Sequence, residues 1–162
     1  MRLEMLPSKA DVIAAFCSSV REELVAVEAV AALARDEASS EETKQEGKYD
    51  TRATEASYLA RGQAARVVSL RRLLSWFEQL SDEPLSPPVV KIRALVALSG
   101  RKKTVVFVAP TGGPRVSVGG VTVQAISMTS PLGEAMEELE VGDEVELESP
   151  RGLRRLTITD LC

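Results

Sequence analysis

The stretch IAAFCSSVREELVAVEAVAALA, residues 13–34, decides the fold of the first half of the chain. Its apolar positions alternate between intervals of four and three residues: Ile13, Cys17, Val20, Leu24, Val27, Ala31 and Ala34. This spacing is typical of a coiled-coil seam. Ser8 followed by Asp11 marks a helix start. Because no Pro or Gly lies between Ser8 and Glu46, we expect one long helix.

A second helix is predicted after the polar stretch SSEETKQEGKYD, residues 39–50. Gln63 and Arg66 interrupt its seam, and Val67 lies beside it. The apolar positions assigned to this seam are Leu59, Leu70, Leu73, Phe77 and Leu80. Two consecutive seams predict an antiparallel hairpin.

The two predicted helices carry opposite charge. The first is mainly acidic, whereas the second has Glu55 as the only acid in its arginine-rich part, which contains Arg52, Arg61, Arg66, Arg71 and Arg72. These arginines either form a solvated or cross-helix paired face or, at Arg52, Arg61 and Arg66, a basic stripe that contacts an anionic partner. Both interpretations stay open at this point.

The proline-containing segment SDEPLSPPVV, residues 81–90, predicts a domain boundary. We assign residues 1–82 to a coiled-coil hairpin with an acidic tip near 39–50, residues 83–89 to a linker and residues 90–162 to a second domain. Six short β-like runs in that domain predict a small antiparallel sheet. Ser130 as N-cap and Pro131 at the first helical position predict one helix, which runs through LGEAMEELE and covers the sheet.

Composition excludes several classes of protein. The 162 residues have a formal charge of −4, which does not favour binding to nucleic acid through bulk positive charge. The absence of histidine excludes a Ser-His-Asp triad and a zinc site with imidazole ligands. Cys17 and Cys162 lack metal-site or redox spacing and are expected to be free thiols. No run reaches the roughly 20 apolar residues of a membrane span, and the opening lacks a signal peptide's apolar core, so we expect a cytoplasmic protein.

The segment ISMTSPLGEAMEELEVGDEVELESPRGLRRLTITDL, residues 126–161, resembles the closing half of the Gre-factor family of bacterial transcription elongation factors. The shared features are I-S-x-x-S-P, a short helix, V-G-D-E-V-E-L, P-x-G and a final strand. EGKYDTRATEASYLARGQAARV, residues 46–67, is similar to that family's coiled-coil tip and returning helix. The resemblance implies an α+β chain: an N-terminal antiparallel coiled-coil hairpin followed by an FKBP-like antiparallel β domain with one short helix.

The resemblance also implies a partner, bacterial RNA polymerase, and a monomeric factor that is not itself an enzyme. The family's C-terminal domain docks near the secondary channel, and Thr129, Ser130, Pro131 and Leu132 match its docking segment. Its coiled coil enters the channel and approaches the RNA 3′ end. There the acidic tip helps the polymerase's own site hold a second Mg²⁺ for cleavage of backtracked RNA.

Transferred to this chain with Tyr49 as the anchor, the tip glutamate falls on Glu46 and the tip aspartate falls on Thr43. Glu41, Glu42 or Asp50 could substitute for the missing carboxylate. The implied catalytic residues are therefore Glu46, Glu42 and Glu41, with Glu46 and Glu42 as Mg²⁺ ligands.

Three alternatives to that role stay open. Thr43 favours a secondary-channel regulator or inhibitor that does not support cleavage. On spacing alone, the acids could form a solvated turn. A prolyl isomerase or peptide-binding module is a further alternative, which the scarcity of aromatic residues after the linker disfavours.

Overall fold

The computed structural model describes residues 6–44 and 51–162, and for residues 41–44 it describes the backbone. Two long helices precede six strands and one short helix, which confirms the predicted α+β class. The elements are α1 (Lys9–Lys44), α2 (Arg52–Glu78), β1 (Leu95–Ser99), β2 (Thr104–Ala109), β3 (Arg115–Val118), β4 (Val121–Ser127), α3 (Pro131–Met136), β5 (Glu144–Ser149) and β6 (Gly152–Leu161).

The chain divides into two compact units. One comprises the residues up to Cys17 together with Phe77–Cys162, and the other comprises Ser18–Trp76. The predicted linker, residues 83–89, lies within the first unit, where Leu85 is buried in the core. None of the described helices is long and apolar enough to cross a membrane.

The seam predicted for α1 is confirmed in the unit Ser18–Trp76. The side chains of Val20, Leu24, Ala31 and Ala34 are buried at the predicted intervals, and Val27 is half-buried. Farther along the helix, Ala38 is also buried and continues the same stripe. The outer part of the seam therefore consists of alanine, which buries less apolar surface per residue than valine or leucine.

The seam predicted for the first half of α2 is wrong at Leu59. This side chain is 52% exposed, whereas Val67, which we had placed beside the seam, is 8% exposed. The buried positions Ala53, Val67 and Leu70 define a register in which Leu59 lies one residue from the seam. One residue corresponds to about 100° of helix rotation, which is enough to turn Leu59 into solvent.

The six strands form one sheet with the order β3-β4-β2-β1-β6-β5. Four of its pairings are antiparallel, as predicted, but β2 and β4 run parallel, with Val105 opposite Val123. The difference arises because the chain passes from β2 to the edge strand β3 before it forms β4. The strand β4 runs antiparallel to β3, pairs with β2 on its other side and therefore has the same direction as β2.

The central strands β1 and β2 are covered on both faces. One face packs into a core with α3, and the core residues from the strands are Val96, Leu98, Val106, Val108, Val145, Leu156 and Ile158. Phe107 lies on the other face of β2 and contacts Phe16 and Phe77, with ring centroids 5.6 and 5.9 Å away. Phe16 and Phe77 stack on one another at 5.0 Å, and all three rings are fully buried.

Two-sided burial explains the unbroken apolar run TVVFVA of β2, since a strand with one exposed face would alternate with polar residues. The sequence pattern predicted only α3 as a cover for the sheet. The start of α1 and the end of α2 supply the second cover through Phe16 and Phe77.

Candidate functional site

The predicted docking segment forms a closed hydrogen-bonded turn before α3. The Ser130 hydroxyl accepts a hydrogen bond from Gly133 N at 3.1 Å and donates one to Ser127 O at 2.7 Å. Ser127 Oγ and Thr129 Oγ1 lie 3.1 Å apart. Ser130 is the N-cap and Pro131 occupies the first turn, which confirms the predicted helix start.

Gly133 is a residue of this segment that the sequence analysis missed. A Cβ atom at this position would clash with Ser127 O and would come within 2.8 Å of the Met128 backbone. The glycine therefore lets α3 lie directly against the end of β4. The only signal in the sequence is a glycine inside a helical pattern, which often indicates close packing.

The helix α3 ends earlier than predicted, at Met136. Glu138 adopts a positive φ of 61°, and its N–H donates to Val90 O at 2.9 Å. Val90 N in turn donates to Leu139 O at 2.9 Å. This exchange pairs the segment with the chain before β1 and terminates the helix.

The four predicted docking residues differ in exposure. Thr129 and Pro131 are exposed, Ser130 is half-buried, and Leu132 is half-buried and packs against the core. The side chains of Thr129 and Pro131 are therefore accessible at the surface, whereas Ser130 shapes the turn and Leu132 anchors α3. A charged residue at Leu132 would disturb the core as well as any interface.

Only part of the predicted acidic tip, near residues 39–50, lies within the described residues. Glu41, Glu42 and Thr43 fall at the end of α1, where only the backbone is described, and Glu46 and Asp50 lie outside the described residues. Elsewhere in the described chain, no group of three or more acids or cysteines is placed to hold a metal ion. The assignment of Glu46 and Glu42 as Mg²⁺ ligands therefore stays a prediction.

Two of the α2 arginines form ion pairs with α1. Arg66 binds Glu23, and Arg71 binds Glu28 with 2.6 Å between Nη2 and Oε1. The two arginines are five residues apart, which corresponds to about 140° around the helix, so their pairs lie on opposite edges of the seam. The predicted charge complementarity between the helices is thereby confirmed.

The other two residues of the predicted basic stripe differ from Arg66. The Arg61 guanidinium lies 5.8 Å from the Tyr58 ring centroid, in cation–π range. Arg52, at the start of α2, is exposed.

Among the described residues, Lys9 and Cys162 have pKa values shifted from their ordinary ones. The pKa of Lys9 is lowered mainly by burial and further by the positive charge of Arg93. Cys162, more strongly than Arg93, and Asp82 raise it in part. Burial also raises the pKa of the Cys162 thiol. Lys9 lowers this pKa in part, and Asp160 raises it further. Neither Cys17 nor Cys162 forms a disulfide bond, as predicted.

Residues 119–161 match the family model described as "Transcription elongation factor, GreA/GreB, C-term". The match contains the docking segment and strands β4 to β6. A search of curated proteins finds no significant match.

Several solved structures are similar to the chain. GreA factor homolog 1 of Thermus thermophilus is 21% identical, with 90% of this chain and 94% of that chain covered and a TM-score of 0.39. Its Thermus aquaticus counterpart is 19% identical over 89% and 92%, with a TM-score of 0.38. The GreA/GreB factor of Nitrosomonas europaea is 23% identical over 57% and 78%, with a TM-score of 0.35. The resemblance to the Gre-factor family is confirmed by the family model's match to residues 119–161.

Proposed function

We propose that this chain is a Gre-like transcription factor of the cytoplasm that binds RNA polymerase and inserts its helical hairpin into the secondary channel. The observation that carries the proposal is the GreA/GreB C-terminal match over residues 119–161. A long hairpin precedes this segment in the same chain. The 36 residues of α1 correspond to about 54 Å of helix, which is long enough for a probe that reaches into a channel.

The docking role falls to the exposed side chains Thr129 and Pro131. The Ser130 cap and the close approach at Gly133 hold them in one geometry. Binding to such a pre-ordered surface costs less conformational entropy than binding to a flexible loop.

The chemical role falls to the acids at the end of the hairpin. Glu46, with Glu42 or Glu41, would supply carboxylate oxygens to a Mg²⁺ ion shared with the polymerase. This ion usually takes only one or two protein carboxylates. When bound there, it would stabilise the entering and leaving oxygens of RNA hydrolysis. In this proposal the chain is a factor that assists the polymerase's own nuclease site, and it is not an enzyme by itself.

A second candidate function is a secondary-channel regulator that binds without supporting cleavage. The observation that favours it is Thr43 at the position of the family's tip aspartate, because a neutral hydroxyl is a poorer ligand for Mg²⁺ than a carboxylate.

A prolyl-isomerase function has less support than the two candidates above, because the first unit lacks an accessible aromatic ring for a proline pocket among its described residues after the linker. Phe107 is the only aromatic residue after the predicted linker, and it is fully buried between Phe16 and Phe77. Its ring is therefore not available to line a proline pocket.

RNA cleavage in backtracked elongation complexes separates the two candidates. For a cleavage factor, we expect the wild-type chain to speed cleavage, Glu46→Ala to remove most of the effect without weakening binding, and Thr43→Asp to increase it. For a regulator, wild type binds without speeding cleavage and Thr43→Asp creates the activity. If none of the three proteins changes cleavage or elongation at any Mg²⁺ concentration, the proposed role of the acids is wrong.

A further inference from the structure

A groove with a volume of about 560 Å³ runs along the hairpin unit Ser18–Trp76. We call it the arginine groove. Both helices line it: α1 contributes Glu28, Ala31 and Arg35, and α2 contributes the segment 60–71 through Ala60, Arg61, Ala64, Val67, Val68 and Arg71. Because helix residues rise by 1.5 Å each, the α2 side of the groove is about 16 Å long. This length fits an extended segment of about five residues.

The charge of the groove is concentrated at one end. Arg71 is paired with Glu28, so that end is close to neutral. Arg35 and Arg61 are the charged lining residues nearest to the hairpin turn, and neither contacts a carboxylate of the described residues. Two cations that contact no carboxylate of the described residues favour a ligand that brings negative charge.

The floor of the groove is apolar. Val68 is 47% exposed and Ala64 is exposed, and both lie beside the buried Ala31 and Val67. Exposed apolar surface beside arginines that contact no carboxylate of the described residues is typical of a protein interface, in which arginine is enriched. Sequence-tolerant binding of single-stranded RNA relies on aromatic side chains that stack on the bases. None of the described residues that line this groove is aromatic, and Tyr58, which contacts Arg61, is not among them. A protein segment therefore fits better than RNA.

We propose that the arginine groove binds a short acidic segment of the polymerase. The segment's carboxylates would contact Arg35 and Arg61, and its small apolar side chains would cover Ala64 and Val68. The inference rests on the proposed function, since it assumes that the hairpin enters the polymerase. It adds a contact along the side of the hairpin, separate from the docking segment and from the tip.

The first test is the affinity of the full chain for purified core RNA polymerase, measured by fluorescence anisotropy at several salt concentrations. The double variant Arg35→Ala/Arg61→Ala should bind about 2- to 30-fold more weakly, because it loses two exposed charge contacts. Its affinity should also depend less on the salt concentration. Ala64→Trp fills the groove without a change in charge and should also weaken binding. The matched control Arg72→Ala/Arg101→Ala removes the same charge from exposed residues outside the groove and should bind like wild type.

The second test is site-specific crosslinking. A photo-crosslinking residue at Val68 should attach to an Asp- or Glu-rich peptide of the polymerase, and mass spectrometry would identify that peptide. The control probe replaces Leu33, which is 70% exposed and does not line the groove. It should not attach to the same peptide.

The outcomes separate the two proposals. If the wild-type chain does not bind polymerase, the proposed function fails and the groove inference fails with it. If the chain binds but both groove variants match wild type and Val68 yields no polymerase crosslink, only the groove inference is overturned. A crosslink from Val68 to RNA also overturns it, because the occupant is then a nucleic acid.

Discussion

Replacement of Lys9 by methionine should stabilise the protein. Lys9 is the first residue of α1 and is only 7% exposed, and its Nζ contacts no hydrogen-bond acceptor among the described residues. A buried donor without a partner costs about 1–3 kcal/mol. Methionine keeps an unbranched apolar stem of similar length and removes the ammonium group. We therefore expect the free energy of unfolding to rise by about 1–3 kcal/mol at pH 7.

The pH dependence gives this prediction a second signature. The pKa of Lys9 in the folded protein is lowered from the ordinary value of 10.5, so the unfolded chain binds this proton more tightly. The penalty is fully present below the folded-state pKa and disappears as the pH rises towards 10.5. The stability advantage of Lys9→Met over wild type should shrink accordingly as the pH rises towards 10.5.

Urea denaturation followed by circular dichroism measures both effects. Lys102→Met, at an exposed lysine in the turn between β1 and β2, is the matched control and should change the unfolding free energy by less than about 0.5 kcal/mol. Lower stability of Lys9→Met than of the control, or an advantage over wild type that does not change with pH, would contradict this prediction. Either result would mean that the Lys9 ammonium has a favourable partner in the folded state.

Substitutions at three further positions test the packing and the ion pairing. Gly133→Ala should displace α3 from the end of β4 and lower the unfolding free energy by about 1–3 kcal/mol, as measured by urea denaturation. Phe16→Ala should lower it by about 3–5 kcal/mol in the same assay, because this ring is fully buried between two others; Phe16→Leu should lower it less. Arg71→Ala should change thermal stability by less than about 1 kcal/mol, because its ion pair with Glu28 is exposed. A larger loss there would mean that the pair is part of a coupled network.

The sequence was sufficient to predict the elements of this fold and much of their packing. The four-three spacing from Ile13 to Ala34 depends on local helix geometry, and the Ser130-Pro131 helix start depends on local capping. Both were therefore predictable from neighbouring residues. The α2 register was not predictable near Leu59, because alanine at Ala53 gives a weak hydrophobic signal although it is buried.

The features that the sequence analysis missed depend on residues far apart in the chain. The parallel pairing of β2 with β4 and the contact of Phe107 with Phe16 and Phe77 link distant segments, and no local pattern specifies them. The docking segment was predicted as a group of four residues. Only the fold shows that Pro131 is exposed whereas Leu132 supports the core.

The most direct test of the account is the dissociation constant for purified core RNA polymerase, measured for wild type, Pro131→Asp and Thr111→Asp. Pro131 is exposed at the first turn of α3, where aspartate is compatible with a helix start. Thr111→Asp adds the same charge at an exposed loop after β2. We predict that wild type and Thr111→Asp bind equally and that Pro131→Asp binds at least tenfold more weakly while remaining folded. Absence of wild-type binding would contradict the proposed function, and equal binding by all three proteins would contradict the assignment of the docking surface.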